Sequence, residues 1–353
     1  MSDTLELKPF SEIDLADPFF SSLKHDYKTF TGWFHRKASE KTSAFIQKTD
    51  NVLTGFIYLK PEEGALLDVT PIQKPDRRLK IGTFKTEAHG TKLGERLLKK
   101  AFDTAIVLGV NEIYVTVFPK YDVLIKLFNE FGFKQSGEKH STDGDEIVLT
   151  KSLLHDKLTG DLREDYPMIN TRKSNFYLLG IYPQWHSQLF PDSILKTETY
   201  DLLSDVSYTN SISKTYICWI SEVQQMRSGD ILVIYRTREP GRSAEYSSVA
   251  TSICTVEEVR TKPTFPDMKN YIEYAQPYSV FNASQLDGWW HSKNLTVTKM
   301  LYNAALTKRL VRRTLADEVG LDRHAYAGFM TLTKNQFLRI AELGGVSDRL
   351  IVH

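Results

Sequence analysis

Leu79-Lys80-Ile81-Gly82-Thr83-Phe84-Lys85-Thr86, followed closely by His89-Gly90-Thr91-Lys92-Leu93-Gly94-Glu95-Arg96, reads as a strand, a glycine-bearing loop and the first turn of a helix. The helix is predicted from Leu93 to about Leu108. Leu93, Leu97, Leu98, Ala101, Phe102, Ala105 and Ile106 recur at helical spacing on one face. Its first turns carry Lys92, Arg96, Lys99 and Lys100. Cations are unfavourable there, where unpaired amides and the helix dipole already present positive potential, so an anionic ligand is expected to offset the placement. Gly90 and Gly94 let backbone amides come close to such a ligand. A solvated basic face after an ordinary turn is the plain alternative.

Spacing narrows the anion. A nucleotide-binding P-loop needs Gly-x-x-x-x-Gly-Lys-Ser/Thr, and Gly90 with Gly94 has neither that spacing nor the trailing pair. A dinucleotide fingerprint needs Gly-x-Gly-x-x-Gly after a strand with an acid about 20 residues on, and these glycines do not supply it.

The stretch resembles the pyrophosphate loop of GNAT-family N-acetyltransferases, commonly Arg-Gly-x-Gly-x-Gly leading into a helix with paired leucines. His89-Gly90-Thr91-Lys92-Leu93-Gly94 occupies it and Leu97-Leu98 follow. His89 stands where Arg is usual, and Lys92 where a glycine would sit. The elements beyond the helix also fit. Glu112–Phe118 is β-branched and aromatic and reads as a strand, Asp122–Phe131 as a helix, and Gly132-Phe133 closes it. The resemblance covers about residues 5–155. It implies a mixed α/β (α+β), mostly antiparallel sheet with flanking helices and acetyl-CoA as cosubstrate. The cosubstrate contacts it implies are Phe84, Thr86, His89, Gly90, Thr91, Lys92, Leu93, Gly94, Glu95 and Arg96, with Lys85 also near the phosphates.

The family often places a Tyr four residues before the Gly of Gly-Phe, as general acid toward the departing CoA thiolate. Phe128 occupies that place and cannot donate a proton, so Tyr121 is the candidate acid and Tyr114 a weaker one. Glu87, with Asp68, is the candidate base. Glu87 can equally neutralise Lys85 or Lys92, and Asp68 can close a turn before Pro71. Catalysis by positioning amine and thioester together needs no carboxylate. The thioester carbonyl is expected to meet a backbone amide on the Lys80–Thr86 strand, where the family has a splayed strand pair and a bulge.

Upstream, Asp17-Pro18-Phe19-Phe20 can start one helix and Tyr27–Lys37 another. Trp33, Phe34 and Arg36 either wall the acceptor site or cover the sheet. Strands are predicted at Ser43–Gln47, Val52–Leu59, Ala65–Val69 and Leu79–Phe84.

With 353 residues and 41% apolar content, the chain can bury two cores. No apolar run approaches the roughly 18–20 residues that span a membrane, and Met1-Ser2-Asp3-Thr4 has no signal-peptide character, so a soluble cytoplasmic protein is expected. Cys218 and Cys254 lie apart on strand-like segments and read as buried, inert thiols. The scattered histidines give no metal spacing. A net charge of +1 argues against general nucleic-acid coating. Lys299, Lys308, Arg309, Arg312 and Arg313 nevertheless form an acid-free cluster, and the four from Lys308 onward recur on a helical path that either lines phosphates or faces solvent beside Asp317 and Glu318.

Residues 156–174 read as a linker between a first domain, 1–155, and a second, 175–353. In the second, Phe176–Ile181 is strand-like, Pro183–Pro191 reads as a short helix closed by a proline, and Tyr216–Ile220, Asp230–Arg236 and Val249–Val256 as strands. Short strands with turns between them suggest a small β-barrel with helices. The Gly229-Asp230 turn feeding a strand resembles the PUA-like group, particularly ASCH and EVE-type domains. That resemblance implies binding of RNA or a modified base, with Trp185, His186, Arg236, Arg238, Trp290, Arg312 and Arg313 as candidate contacts, since aromatic faces stack bases and Arg pairs with phosphates. His186 can instead be a satisfied structural histidine. Trp289 and Trp290, read as strand neighbours, would point to opposite faces. The expected function is N-acetyl transfer to an amine, with RNA or tRNA as a partner. A nucleic-acid-binding or modified-base-sensing protein with a CoA-binding or scaffold half, in a toxin or phage-defence role, is the alternative.

Overall fold

Alternation and breaker residues set the first sheet. In the computed structural model, residues 3–87, 92–191 and 211–353 are described. The chain divides into two units, Met1–Asp165 and Tyr166–His353. Unit 1 opens with β1 (Asp3–Pro9), then α1 (Ser21–Asp26), α2 (Phe30–Ser39), β2 (Ser43–Thr49), β3 (Val52–Leu66) and β4 (Gln73–Thr86). It continues with α3 (Leu93–Leu108), β5 (Glu112–Val117), α4 (Asp122–Glu130), β6 (Lys134–Ser141) and β7 (Gly144–Ser152). The seven strands lie in the order β1-β2-β3-β4-β5-β7-β6, antiparallel except where β4 meets β5. The predicted strand at Ala65–Val69 is not separate: β3 and β4 run on as one long hairpin through Leu66.

Even-numbered residues of β2 and β3, Ala44, Ile46, Phe56 and Tyr58, pack with Phe10, Phe20, Phe30 and Phe34 in one core under α1 and α2. Phe34 is thus core and Trp33 lies edge-on to Phe10 at 5.6 Å, so these aromatics cover the sheet; Arg36 faces outward toward Glu40. The α3 span agrees with its apolar periodicity. Leu93, Leu97, Leu98, Ala101, Phe102 and Ala105 are buried, and Gly109 ends the helix at φ 64°, a conformation that glycine adopts without steric cost.

The unit boundary falls inside the stretch expected to be a linker, and each part is tied into its own unit. Within unit 1, Lys134 pairs with Glu164 at 2.6 Å, Arg163 bonds Glu130, and Asp165 accepts from the Thr159 and Gly160 amides at 2.7 and 2.8 Å. Within unit 2, β8 (Ile169–Asn170) pairs in parallel with β15 (Ile351–Val352). Its polar residues are spent on hydrogen bonds and ion pairs within each unit.

Unit 2 then runs β9 (Phe176–Ile181), α5 (Pro183–Leu189), β10 (Ser213–Cys218), β11 (Ile231–Arg236), α6 (Ala244–Ser247) and β12 (Val249–Thr261). After these come α7 (Met268–Ala275), α8 (Ala283–Trp289), β13 (Thr296–Val311), α9 (Arg312–Asp317), β14 (Phe329–Leu332) and α10 (Lys334–Leu343). Its sheet has the order β10-β13-β12-β11-β9-β14, with β9 and β11 parallel. No pairing joins β14 to β10 among the described residues, so the expected closed barrel appears as a mixed sheet with two edges. Of the four cations expected on a helical path, Arg312 and Arg313 open α9, while Lys308 and Arg309 lie on β13, as Lys299 does. A 16-residue strand bent by bulges against β12 took precedence over local propensity there. Both cysteines are buried and free, and burial pushes the Cys218 thiol up to about 11. No helix among the described residues is long and apolar enough to cross a membrane.

Candidate active site

The site begins with a fork. β4 and β5 pair in parallel only from Arg78↔Glu112 to Ile81↔Val115. Beyond that point β4 continues to Thr86 against β3, while β5 continues to Val117 against β7. Among the described residues, the β5-facing backbone edge of Gly82–Thr86 is therefore left without a strand partner. At the same place Tyr58 pairs with Thr83 and Leu59 with Ile81, leaving Gly82 as the extra residue of a bulge. A Cβ at Gly82 would come within 2.8 Å of the Tyr58 ring, so the bulge needs glycine. The helix start beside the fork is built just as tightly: a Cβ at Gly94 would come 2.8 Å from Leu127 on α4. Splayed strands, a bulge on β4 and a helix N-terminus after it form one anion-and-carbonyl cradle. A family model described as Acetyltransferase (GNAT) family matches residues 7–133.

Residues 7–133 are a GNAT acetyltransferase domain. No curated protein matches the chain. Among solved structures, an N-acetyltransferase from Staphylococcus aureus Mu50 is 13% identical with a TM-score of 0.34, covering 44% of this chain and 100% of that one. The PaiA N-acetyltransferase from Thermoplasma acidophilum, in complex with coenzyme A, is 18% identical with a TM-score of 0.30, covering 43% and 99%. An ASCH mutant protein from Zymomonas mobilis is 9% identical with a TM-score of 0.33, covering 48% and 95%.

The GNAT fork gathers some of the expected residues and not others. His89, Gly90 and Thr91 lie outside the described residues. Lys92 is the N-cap of α3. Leu93 is buried against Gly55, and Glu95 and Arg96 are each only 5% exposed, so these three offer a ligand backbone rather than free side chains. Lys99 is buried and pairs with Asp103 at 2.9 Å. Thr86 ends β4 half-buried. Phe84 turns its ring to Phe128 at 5.5 Å. Phe128 is fully buried and packs on Phe133 at 4.9 Å, so the position that carries a proton donor elsewhere in the family is spent on the core.

Lys85 bonds Ser22 Oγ at 2.5 Å, lies over the Phe19 ring, and pairs with Glu87 at 2.9 Å. Glu87 therefore serves Lys85. Asp68 accepts from Lys139 at 2.6 Å. Tyr121, the N-cap residue of α4, donates its phenol to Asp26 at the end of α1, and Lys120 reaches the other oxygen of that carboxylate at 2.6 Å. Burial opposes ionisation of Asp26, but the bonds from Lys120, Tyr121 and His25 outweigh it and hold the carboxyl below its usual range. Burial and the same carboxylate push the Tyr121 phenol up, keeping it protonated.

One group escaped the sequence reading. Lys60, Lys80 and Tyr114 are direct cross-strand partners on β3, β4 and β5 and so share one face. With Glu62, Asp68 and Arg78 they line a cleft of about 410 Å3. Tyr114 donates to Glu62, which also accepts from Lys60 at 2.7 Å. The alternation of charges along β3 and β4 was visible in sequence; the register that aligns them was not.

In unit 2 the candidate contacts separate by depth. His186 is fully buried, with Nε2 2.7 Å from Thr251 Oγ1, and burial pushes it down to about 3, so it is a neutral core histidine. Arg236 is buried and bonds Glu239 at 2.7 Å. Arg312 is buried and donates to the carbonyls of Asp322 and Ala325 at 2.7 and 3.1 Å, holding that loop. Trp289 and Trp290 end α8 instead of lying on a strand; Trp290 stacks on Tyr271 at 5.5 Å under Lys262. Arg238 and Arg313 are exposed, and half-buried Trp185 meets Trp289 edge-on at 6.5 Å. Trp219, 40% exposed, joins the same aromatic group at 5.1 Å from Trp289.

Proposed function

We propose that the chain is an acetyl-CoA-dependent N-acetyltransferase that transfers acetyl to an amine, and that its second unit engages RNA or an RNA-linked substrate such as tRNA. The β4–β5 fork with its bulge at Gly82 carries the first half of this reading. Acetyl-CoA is the cosubstrate. The fork offers unpaired backbone donors on one side and a helix N-terminus on the other, which suits an acyl carbonyl and a pyrophosphate together. The amine nitrogen attacks the thioester carbon, the carbonyl oxygen takes the negative charge beside the β4 amides, and the C–S bond then breaks to expel the thiolate. The proton lost by the amine balances the one the thiolate gains. Tyr121 is the group we assign to deliver that proton, which requires its phenol to leave Asp26.

Calorimetry with acetyl-CoA and CoA tests the reading, alongside Lys92→Glu, which should weaken binding by placing an acid at the α3 N-cap. No heat from the parent protein at high micromolar ligand sinks it. Buried Phe128 favours a second reading, a module that binds CoA without turnover; binding with no CoA release against any amine would select it. For unit 2, the Trp185, Trp219 and Trp289 group and exposed Arg238 and Arg313 support stacking and phosphate contact. A gel shift against tRNA should weaken as salt rises, and no shift at low salt refutes this half.

A further inference from the structure

Immediately behind the fork, Lys80 and Tyr114 form the cross-strand pair one residue before the last paired residues, Ile81 and Val115. On the other side Lys80 stands directly opposite Lys60. Like charges placed directly opposite on one sheet face repel. Apart from exposed Glu63, the other charged side chains of the cleft have partners: Lys60 bonds Glu62, Arg78 bonds Glu112 at 2.6 Å and two backbone carbonyls, and Lys139 holds Asp68. Lys80 has the face of the Tyr114 ring, 5.3 Å from its Nζ, and no hydrogen bond among the described residues. Burial holds its ammonium below the usual lysine range, with Lys139 and Lys60 adding to the effect against the opposing pull of Glu62 and Asp68. This half-buried ammonium stands opposite another cation and one residue from the fork.

We propose that the acceptor amine carries an anionic group, a carboxylate or a phosphate, and that Lys80 binds it in the cleft behind the fork. This rests on the acetyltransferase reading. Glu62 and Asp68, on the same cleft, would meet the acceptor's ammonium end. The cleft thus selects a small zwitterionic amine or the phosphate-bearing end of a larger one, and Lys80 is a specificity residue rather than a proton carrier.

The test follows CoA release with a thiol reagent for three probes that share one amine: ethylamine, β-alanine and O-phosphoethanolamine. Acetyl-CoA binding is measured by calorimetry on the same samples. An anionic probe should exceed ethylamine in kcat/KM by about tenfold or more, as a charge-assisted bond allows. The difference should sit mainly in KM. Lys80→Gln should bring the preferred probe down to the ethylamine level, and Lys80→Arg should restore part of the preference. Whichever of β-alanine and O-phosphoethanolamine leads identifies the anion. Equal rates for all three, a preference that survives Lys80→Gln, or no turnover of any probe by protein that binds acetyl-CoA overturns the proposal. Acetylation of Lys80 itself, seen by mass spectrometry without an added amine, also overturns it by making the lysine an acceptor. Absent acetyl-CoA binding instead removes the underlying reading, and the proposal with it.

Discussion

Substituting Gly82 by alanine should separate the fork's chemistry from its scaffold. The new Cβ would lie 2.8 Å from Tyr58 Cδ1 and 3.2 Å from Cε1, well inside ordinary contact. The ring has little room to retreat, being 6% exposed with Phe10 at 5.3 Å and Trp33 at 5.6 Å. Overpacking of this kind costs about 1–3 kcal/mol. For a unit of this size each kcal/mol lowers Tm by about 2–4 °C, so a drop of about 2–12 °C is expected by calorimetry. If the strain is relieved by straightening the bulge, the β4 amide beside it loses its aim, and kcat for CoA release should fall by about 100- to 1000-fold, as when one oxyanion donor is removed. CoA affinity should change by less than about threefold, because the proposed pyrophosphate site is the start of α3 rather than the bulge. Measurements belong well below the lowered Tm, so that only folded protein is compared. A variant with parental kcat would refute the assignment of the bulge amide, and one with parental Tm would refute the packing argument.

Three further outcomes follow from the same geometry. Asp26 has a folded pKa below its unfolded one, so its contribution to stability is complete above the ordinary carboxylate value of about 3.9 and is lost as pH falls through the folded value. The stability gap between parent and Asp26→Asn in urea melts should therefore close in acid, and a gap that widens there would refute the network. Lys151 is pushed down to about 8 by burial while donating to the Glu164 carbonyl, so its protonation opposes folding, and stability gained through it rises with pH between about 8 and the unfolded value near 10.5. Relative to Lys151→Met, the parent should gain about 2 kcal/mol from pH 7 to 10, and no gain would show the ammonium to be better solvated than its burial implies. In unit 2, Arg312→Met leaves the Asp322 and Ala325 carbonyls without their donor and should cost about 1–3 kcal/mol, whereas Arg313→Ala should cost under about 0.5; equal costs would contradict the burial difference.

The elements around the fork were legible because each is locally encoded. The α3 face follows from its apolar period, its end from Gly109, and β5, α4 and the Gly132-Phe133 close from propensity and breakers. Signals failed where a residue's role depends on a distant partner. Lys85 read as a phosphate contact but is bound to Ser22 and Glu87. Arg312 read as a nucleic-acid contact but is buried against a loop, and His186, offered both as a contact and as a structural histidine, is the latter because strand residue Thr251, far away in sequence, holds it. The β13 cations read as helical because a bent strand and a helix can share a short charge pattern; only pairing with β12 decides between them.

By itself, then, the sequence determined a strand, loop and helix suited to an anion, excluded nucleotide and dinucleotide loops by glycine spacing, and pointed to the acetyltransferase family that residues 7–133 match. Period and spacing are properties of neighbouring residues, so a linear reading captures them. The tertiary structure alone decided that β4 parts from β5 after Ile81, that Gly82 is the bulged residue, that Phe128 belongs to the core, and that Lys60, Lys80 and Tyr114 share one row. Each depends on strand register, which is set by packing the whole sheet, and a shift of one residue would turn every one of those side chains to the opposite face.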